Sequence, residues 1–294
     1  MDCCNTLNLI SMDPISFIVE PLQYSFMLKA VIVSSVVGAA CAILSCFLIL
    51  KGWSLLGDAI SHAVLPGVVL AYLLGIPFGL GAFVFAMLAV VLIGLIKDTT
   101  KIKEDAVMGI VFTTFFALGL MLISKIVSSV DLTHVLFGEV LGISNESAWL
   151  TSLILTLAAA VILLFRRTFL VFCFDTTHAQ SVGLPIPFIH YAFLVLLAVI
   201  ITGSIQTVGI ILVIAMLITP GSTAFLLTKH FPSMLQIAVV VSVFSSLAGA
   251  YASYYYDIST GGTIVFLQGL IFLTVFGYQS LYKKSTPSVP APVK

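Results

Sequence analysis

Apolar positions in this chain come in long blocks, and the polar residues fall in short gaps between them. The blocks lie near 24–50, 54–76, 78–96, 105–126, 147–165, 186–203, 207–227, 234–256 and 262–281. A helix needs about 20 residues to cross the hydrocarbon of a bilayer. Each block is therefore a candidate transmembrane helix, nine in all. Two connections, Gly75-Ile76-Pro77 and a polar turn near Gln206, are short enough to be re-entrant, which leaves eight or nine crossings open. The expected fold class is an all-α polytopic membrane protein. Its expected divisions are an N-terminal segment 1–23, a transmembrane domain 24–284, and a Pro/Ser-rich disordered tail 285–294, STPSVPAPVK.

Composition agrees with the blocks. Of 294 residues, 61% are hydrophobic and 8% charged, with a mean hydropathy of +1.23. Soluble domains carry roughly 25% charged residues, so this much apolar surface belongs in a membrane. The formal net charge of +0 suggests no nucleic-acid partner. The five cysteines, Cys3, Cys4, Cys41, Cys46 and Cys173, form no CxxC pair and read as small core residues plus an N-terminal pair. The first twenty residues are mixed and carry Asp2, Asp13 and Glu20, so the first spanning segment is expected to direct insertion itself.

The basic residues orient the bundle. Lys51, then Lys97, Lys101 and Lys103, then Arg166 and Arg167, then Lys229, then Lys283 and Lys284 occupy alternate gaps. The remaining gaps hold Asp131, Glu139, Glu146 and Asp257, and only Lys29 and Lys125 dissent. Positive residues gather on the cytoplasmic side. The gaps near 51, 100, 170 and 230 and the C-terminus are then cytoplasmic, and nine crossings place the N-terminus outside.

Chemistry concentrates in GDAISHAVLPG, residues 57–67, within the second block. Asp58 and His62 stand at i and i+4, on one face of a helix. Ionisable groups at membrane depth cost at least about 2.5–3.5 kcal/mol each on insertion scales. They persist where they line a cavity, pair with each other or bind something. A carboxylate with an imidazole suits borderline divalent ions such as Mn²⁺, Fe²⁺ and Zn²⁺. Pro66 has no N–H for the carbonyl of His62, and Gly57 and Gly67 permit close backbone approach. On residue chemistry alone, an ion way-station and a pair that merely fixes helix packing both stand.

Five blocks carry a family resemblance. GWSLLGDAISHAVLPGVVLAYLLG (52–75), KEDAVMGIVFTTFFALGL (103–120), LTHVLFGEVLGIS (132–144), TVGIILVIAMLITPGSTAFLL (207–227) and DISTGGTIVFLQ (257–268) occur in the order found in permeases of metal-ion ABC importers. SCFLILKGWSLLGDAISHAVLPG and CFDTTHAQSVGLP most resemble the manganese/iron subgroup of bacterial importers, with the zinc subgroup close. The resemblance implies a type II ABC-importer-like permease in the bacterial plasma (inner) membrane, with Asp58 and His62 as the metal site. It implies two cytoplasmic ABC ATPase subunits, an extracytoplasmic metal-binding protein, and a second permease protomer, identical or paralogous. It implies no permanently bound cofactor, only Mn²⁺, Fe²⁺ or Zn²⁺ in transit. It makes residues 173–185 a short cytoplasmic helix pressed against the ATPase, with Asp175, Ala179 and Gly183 as coupling residues.

The residues themselves support part of this. Asp175 before Thr176 and Thr177 is a plausible N-cap, and Gly183 a helix end. The chain has no GxxxxGK[ST] of its own, so energy must come from another subunit or from an ion gradient. A gradient-driven secondary transporter, with Asp58 and His62 as a proton relay, is the alternative. An intramembrane metalloenzyme is disfavoured because no HExxH occurs.

Other polar positions are secondary. His190, in PIPFIHYAF, is a candidate secondary ligand or a core histidine beside Tyr191. His134, with Asp131 and Glu139 near, lies in an outer loop that could receive metal from a docking protein or serve packing. Gln206 could line an external gate, His178 and His230 read as solvated, and Glu104 and Asp105 as acidic residues at a helix N-terminus. Pro220-Gly221 is expected to interrupt the seventh block, as a pathway wall or a kink. The YASYYYD run reads as an aromatic interface belt.

Overall fold

A computed structural model describes residues 20, 21, 23–125 and 145–285. The described residues fold into helices alone. In chain order these are α1 (Ser25–Lys51), α2 (Ser54–Ala63), α3 (Leu65–Leu74), α4 (Phe78–Thr99), α5 (Glu104–Lys125), α6 (Asn145–Leu164), α7 (Arg166–Phe174), α8 (Thr176–Ser181), α9 (Ile186–Val208), α10 (Ile210–Leu227), α11 (Phe231–Tyr256) and α12 (Thr260–Ser285). The stretch 54–74 acts as one span made of α2 and α3, so nine spans are long and apolar enough to cross a membrane among the described residues. The outer loop with His134, the N-terminal segment with its two cysteines, and the C-terminal tail lie outside them.

Glycine sets the stops. α1 ends at Gly52 with φ 77, where Gly52 N–H bonds Ile49 O and Trp53 N–H bonds Leu48 O at 2.9 Å. This left-handed cap with a 6→1 bond satisfies the last carbonyls of the helix. α3 ends the same way at Gly75, φ 66. The second span breaks at Val64, because Pro66 lacks the amide that a continuous helix would offer to His62 O.

α1 runs through the centre, packed against α6, α10 and α11. Its contact with α11 is made of small polar residues. Ser242 Oγ donates to Gly38 O at 2.9 Å, and Ser246 Oγ donates to Ser34 O at 3.3 Å. In hydrocarbon, where apolar burial gives little net drive, such close backbone approach and interhelical hydrogen bonds hold helices together. Gly67 of α3 and Gly81 of α4 face each other in the same manner, each occupying the space a Cβ on the other would need.

Contacts at the two ends fix the topology. At one end Lys51 and Lys97 both lie over the Trp53 ring, at 5.5 and 5.7 Å, and Lys51 Nζ donates to Phe172 O. The first, third and fifth gaps therefore share a side. Gln279 Nε2 donates to Leu226 O, which joins the C-terminal end to the seventh gap. At the other end the Gln206 side chain lies over Gly79, and Tyr24 meets Tyr254 with ring centroids 6.0 Å apart. Nine crossings satisfy all of these, with the lysine-rich end cytoplasmic.

Two sequence expectations are corrected. The turn expected near Gln206 is helix: α9 continues to Val208, and Gly209 alone, at φ 81, makes the connection to α10. Pro220 does not interrupt its span. α10 runs from Ile210 to Leu227 with Pro220 inside it. Gly221 N–H donates to Ser45 Oγ at 3.1 Å, and Ser45 Oγ reaches Ile218 O at 3.4 Å, so a hydroxyl of α1 binds the backbone beside the proline.

Candidate functional site

α2 carries the acid and the imidazole. His62 Nε2 lies 3.4 Å from Asp58 Oδ1, as the one-turn spacing requires. The side chains are 22% and 34% exposed, respectively, within the chain. His62 stands nine residues along the span from Trp53, about 13 Å at 1.5 Å per residue, so it sits near mid-depth of a bilayer about 30 Å thick. Its ring packs against Phe112 and Phe116 of α5, with centroids at 5.0 and 5.3 Å. These two phenylalanines were not picked out from the sequence. Their i, i+4 spacing in VFTTFF was the available signal, but every span here is rich in such apolar pairs.

The second ring nitrogen, His62 Nδ1, is buried and has no hydrogen-bond partner. A buried polar atom left so costs about 1–3 kcal/mol. Ligand bonds to imidazole and carboxylate are about 2.0–2.2 Å long. Two donors 3.4 Å apart then subtend about 100–115° at a shared cation, an ordinary angle for divalent-metal coordination. No group of three or more His, Cys, Asp or Glu able to hold a metal occurs among the described residues.

His190 lies elsewhere. Its ring contacts are Trp53 at 5.6 Å, Phe172 at 5.8 Å and Tyr191 at 5.6 Å. With Trp53, Leu56, Lys97, Glu104 and Met108 it lines a cavity of about 130 Å³ near the cytoplasmic end. Leu56 and Asp58 are two residues apart and so point about 160° away from each other on α2. The cavity and the acid–imidazole pair thus occupy opposite sides of that helix. Glu104, expected at a helix N-terminus, opens α5 with Asp105 and pairs with Lys97 Nζ at 2.8 Å.

The 173–185 segment forms α8, six residues long, between α7 and α9. Asp175 Oδ1 accepts from Thr177 N–H at 2.8 Å, the N-capping geometry its sequence suggested. Gly183 takes φ 80, and Leu184 N–H returns to Ala179 O at 3.1 Å. Ala179 is fully buried, so its small side chain seats α8 on its own chain. Asp175 and Gly183 are exposed, as are Phe174, Thr177, Gln180, Ser181, Val182 and Pro185.

Comparison with known proteins adds four findings. Residues 23–279 match the ABC 3 transport family. The chain is 54% identical over 257 residues to the manganese transport system membrane protein MntB of Synechocystis, covering 87% of this chain and 84% of that protein. It is 49% identical over 266 residues to the chelated iron transport system membrane protein YfeD of Yersinia pestis, covering 90% of each. Among solved structures, PsaBC from Streptococcus pneumoniae in complex with Fab superposes with a TM-score of 0.82 at 37% identity, over 92% of this chain and 99% of that one.

Proposed function

The chain belongs to the ABC 3 transport family, and from that premise we propose that it is the permease subunit of an ATP-driven importer that carries Mn²⁺ or Fe²⁺, with Zn²⁺ admitted by the same ligand chemistry. It is a multi-pass protein of the inner membrane, and its relatives are membrane subunits of manganese and iron transport systems. The observation that carries the metal assignment is the Asp58–His62 pair within the second span, 3.4 Å apart and partly exposed. Imidazole and carboxylate together favour borderline divalent ions over alkali and soft monovalent ones. Two protein ligands per chain suit a cargo that must leave again, because conduction needs binding weak enough to release.

The remaining parts of the machine follow from the same reading. ABC ATPase subunits dock at the cytoplasmic face through α8, held in place by Asp175, Ala179 and Gly183. An extracytoplasmic metal-binding protein delivers the ion at the opposite face. A second permease protomer completes the pathway.

Reconstitution with the ATPase partner tests this. Wild-type complex in proteoliposomes should accumulate radioactive manganese on addition of ATP and not in response to a pH gradient alone. Asp58→Ala and His62→Ala should each lower that uptake by about 100-fold, the upper range for lost metal-site residues, while assembly and ATP hydrolysis persist. Uptake driven by the gradient without ATP would instead establish a secondary transporter. Normal uptake by both variants would remove the pair from the pathway.

A further inference from the structure

α2 is a ten-residue rod, about 15 Å long, delimited at both ends. Gly52, in the left-handed region at φ 77, lies just below it, and the Val64–Pro66 break lies just above. The rod carries Asp58 and His62. Its lower end is Trp53, 5% exposed, which is held on several sides. Phe172 and His190 meet the indole edge-on at 6.3 and 5.6 Å, and Phe193 lies tilted against it at 6.3 Å.

Lys51 ties this group together. Its Nζ donates to Phe172 O at 3.1 Å and stands over the Phe172 ring at 4.4 Å and the Trp53 ring at 5.5 Å. Phe172 O is among the last carbonyls of α7, which lack helical partners, so the lysine also caps that helix. The adjacent Cys173 thiol is neutral, burial pushing it up to about 12 against the pull of Lys51. The carbonyl and the two ring faces are the close contacts of this ammonium, while Lys97 and Glu104 act on it from further off.

Phe172 stands three residues before Asp175, whose carboxylate caps α8. A displacement of α8 thus reaches Phe172 through three covalently linked residues, and Phe172 reaches the rod through Lys51 and Trp53. The 130 Å³ cavity beside Trp53 gives the indole room to move without breaking the packed core. Gly57, one turn up, lies against Leu217 of α10, where an added Cβ would stand 3.2 Å from a Leu217 methyl, so α2 and α10 approach closely there.

We propose that Lys51 and Trp53 form a mechanical joint through which movement of the cytoplasmic helix α8 tilts the α2 rod and thereby moves Asp58 and His62 relative to the pathway. Both are positioning residues; neither touches the cargo. The joint rests on the importer reading above and adds to it the route by which ATP hydrolysis in a partner is felt at the metal pair.

The experiment measures manganese transported per ATP hydrolysed by the reconstituted complex. Lys51→Met keeps the aliphatic stem and removes the donor. It should retain ATP hydrolysis and manganese binding to the nucleotide-free complex, and lower the transport ratio about tenfold, within the usual range of a coupling interaction. Lys51→Arg, which donates to the same carbonyl, should restore the ratio to within about twofold of wild type. A Lys51→Met ratio equal to wild type overturns the joint, as does a Lys51→Arg ratio as low as that of Lys51→Met. Should Lys51→Met fail to assemble, hydrogen exchange on the wild-type complex decides. Trapping the ATPase with vanadate should change exchange in 53–63 together with 170–181, and a change confined to 170–181 overturns the joint. Absence of ATP-driven uptake by wild type would instead strike the importer reading itself.

Discussion

At the scale of single residues, placement in this protein is decided by what a side chain would otherwise meet. Gly221 and Gly277 are both helical glycines in spans. A Cβ on Gly221 would stand 2.8 Å from the Ser45 carbonyl carbon, whereas one on Gly277 would meet nothing within 4 Å. Gly221→Ala should therefore lower stability by about 1–3 kcal/mol, the range for overpacking, and Gly277→Ala should leave it unchanged or slightly raised by helix propensity. Denaturation of the two variants in detergent checks this; equal midpoints would mean that the Ser45 contact is not close. The meeting of Asp58 and His62 was legible at this scale because i, i+4 spacing fixes a shared face without further information. The Lys51–Phe172 contact was not, because the two residues are 121 positions apart and nothing local announces the meeting. His190 falls between these cases. Its neighbours in sequence suggested either a ligand or a core ring, and its ring meets Trp53, Phe172 and Tyr191. His190→Phe, which keeps a ring against Trp53 and removes both nitrogens, should retain most metal uptake. Loss on the scale of His62→Ala would restore it as a ligand.

Elements were read well where hydropathy alone defines them and poorly where backbone chemistry does. The span boundaries fall within a few residues of the expected ones, because a hydrocarbon slab demands a set length of apolar helix. Polar side chains misled at Gln206, which α9 accommodates by resting on Gly79, and proline misled at Pro220, beside which Ser45 Oγ accepts from Gly221 N–H. Hydropathy also fails to tell which face of a span is covered, since interior and lipid-facing surfaces are both apolar. α1 is largely buried and α12 mostly exposed, yet both read simply as apolar blocks. The same limit applied to α8. Its Ala179 is buried against its own chain, while Phe174 at the end of α7 and Val182 just after α8 are the exposed apolar residues flanking it, 65% and 63% exposed. Val182→Asp should weaken retention of the ATPase subunit by about 2 kcal/mol or more, the scale of an interface hot spot, without lowering the stability of the isolated permease. Gly183→Val acts differently: at φ 80 it strains the turn by about 1–3 kcal/mol, and the isolated permease itself should melt earlier. Co-purification and thermal melting separate the two effects, and full ATPase retention by Val182→Asp would exclude this face from docking.

On the scale of the whole molecule, the open question is what covers the metal pair. A carboxylate and an imidazole that are 34% and 22% exposed at mid-depth cannot face lipid without a cost of several kcal/mol. Among the described residues the chain offers no third ligand from His, Cys, Asp or Glu. A second protomer placed against this face answers both needs at once: it excludes lipid and brings its own acid–imidazole pair to the same ion, raising the count from two ligands to four. The argument predicts one ion for each pair of protomers. Metal analysis of the purified, nucleotide-free complex after equilibrium dialysis against Mn²⁺ should give that stoichiometry, and a complex carrying Asp58→Ala in a single protomer should lose most of the bound ion. Two ions per pair, or half the metal retained by the singly substituted complex, would show each protomer holding its own cargo, with lipid or water completing the coordination.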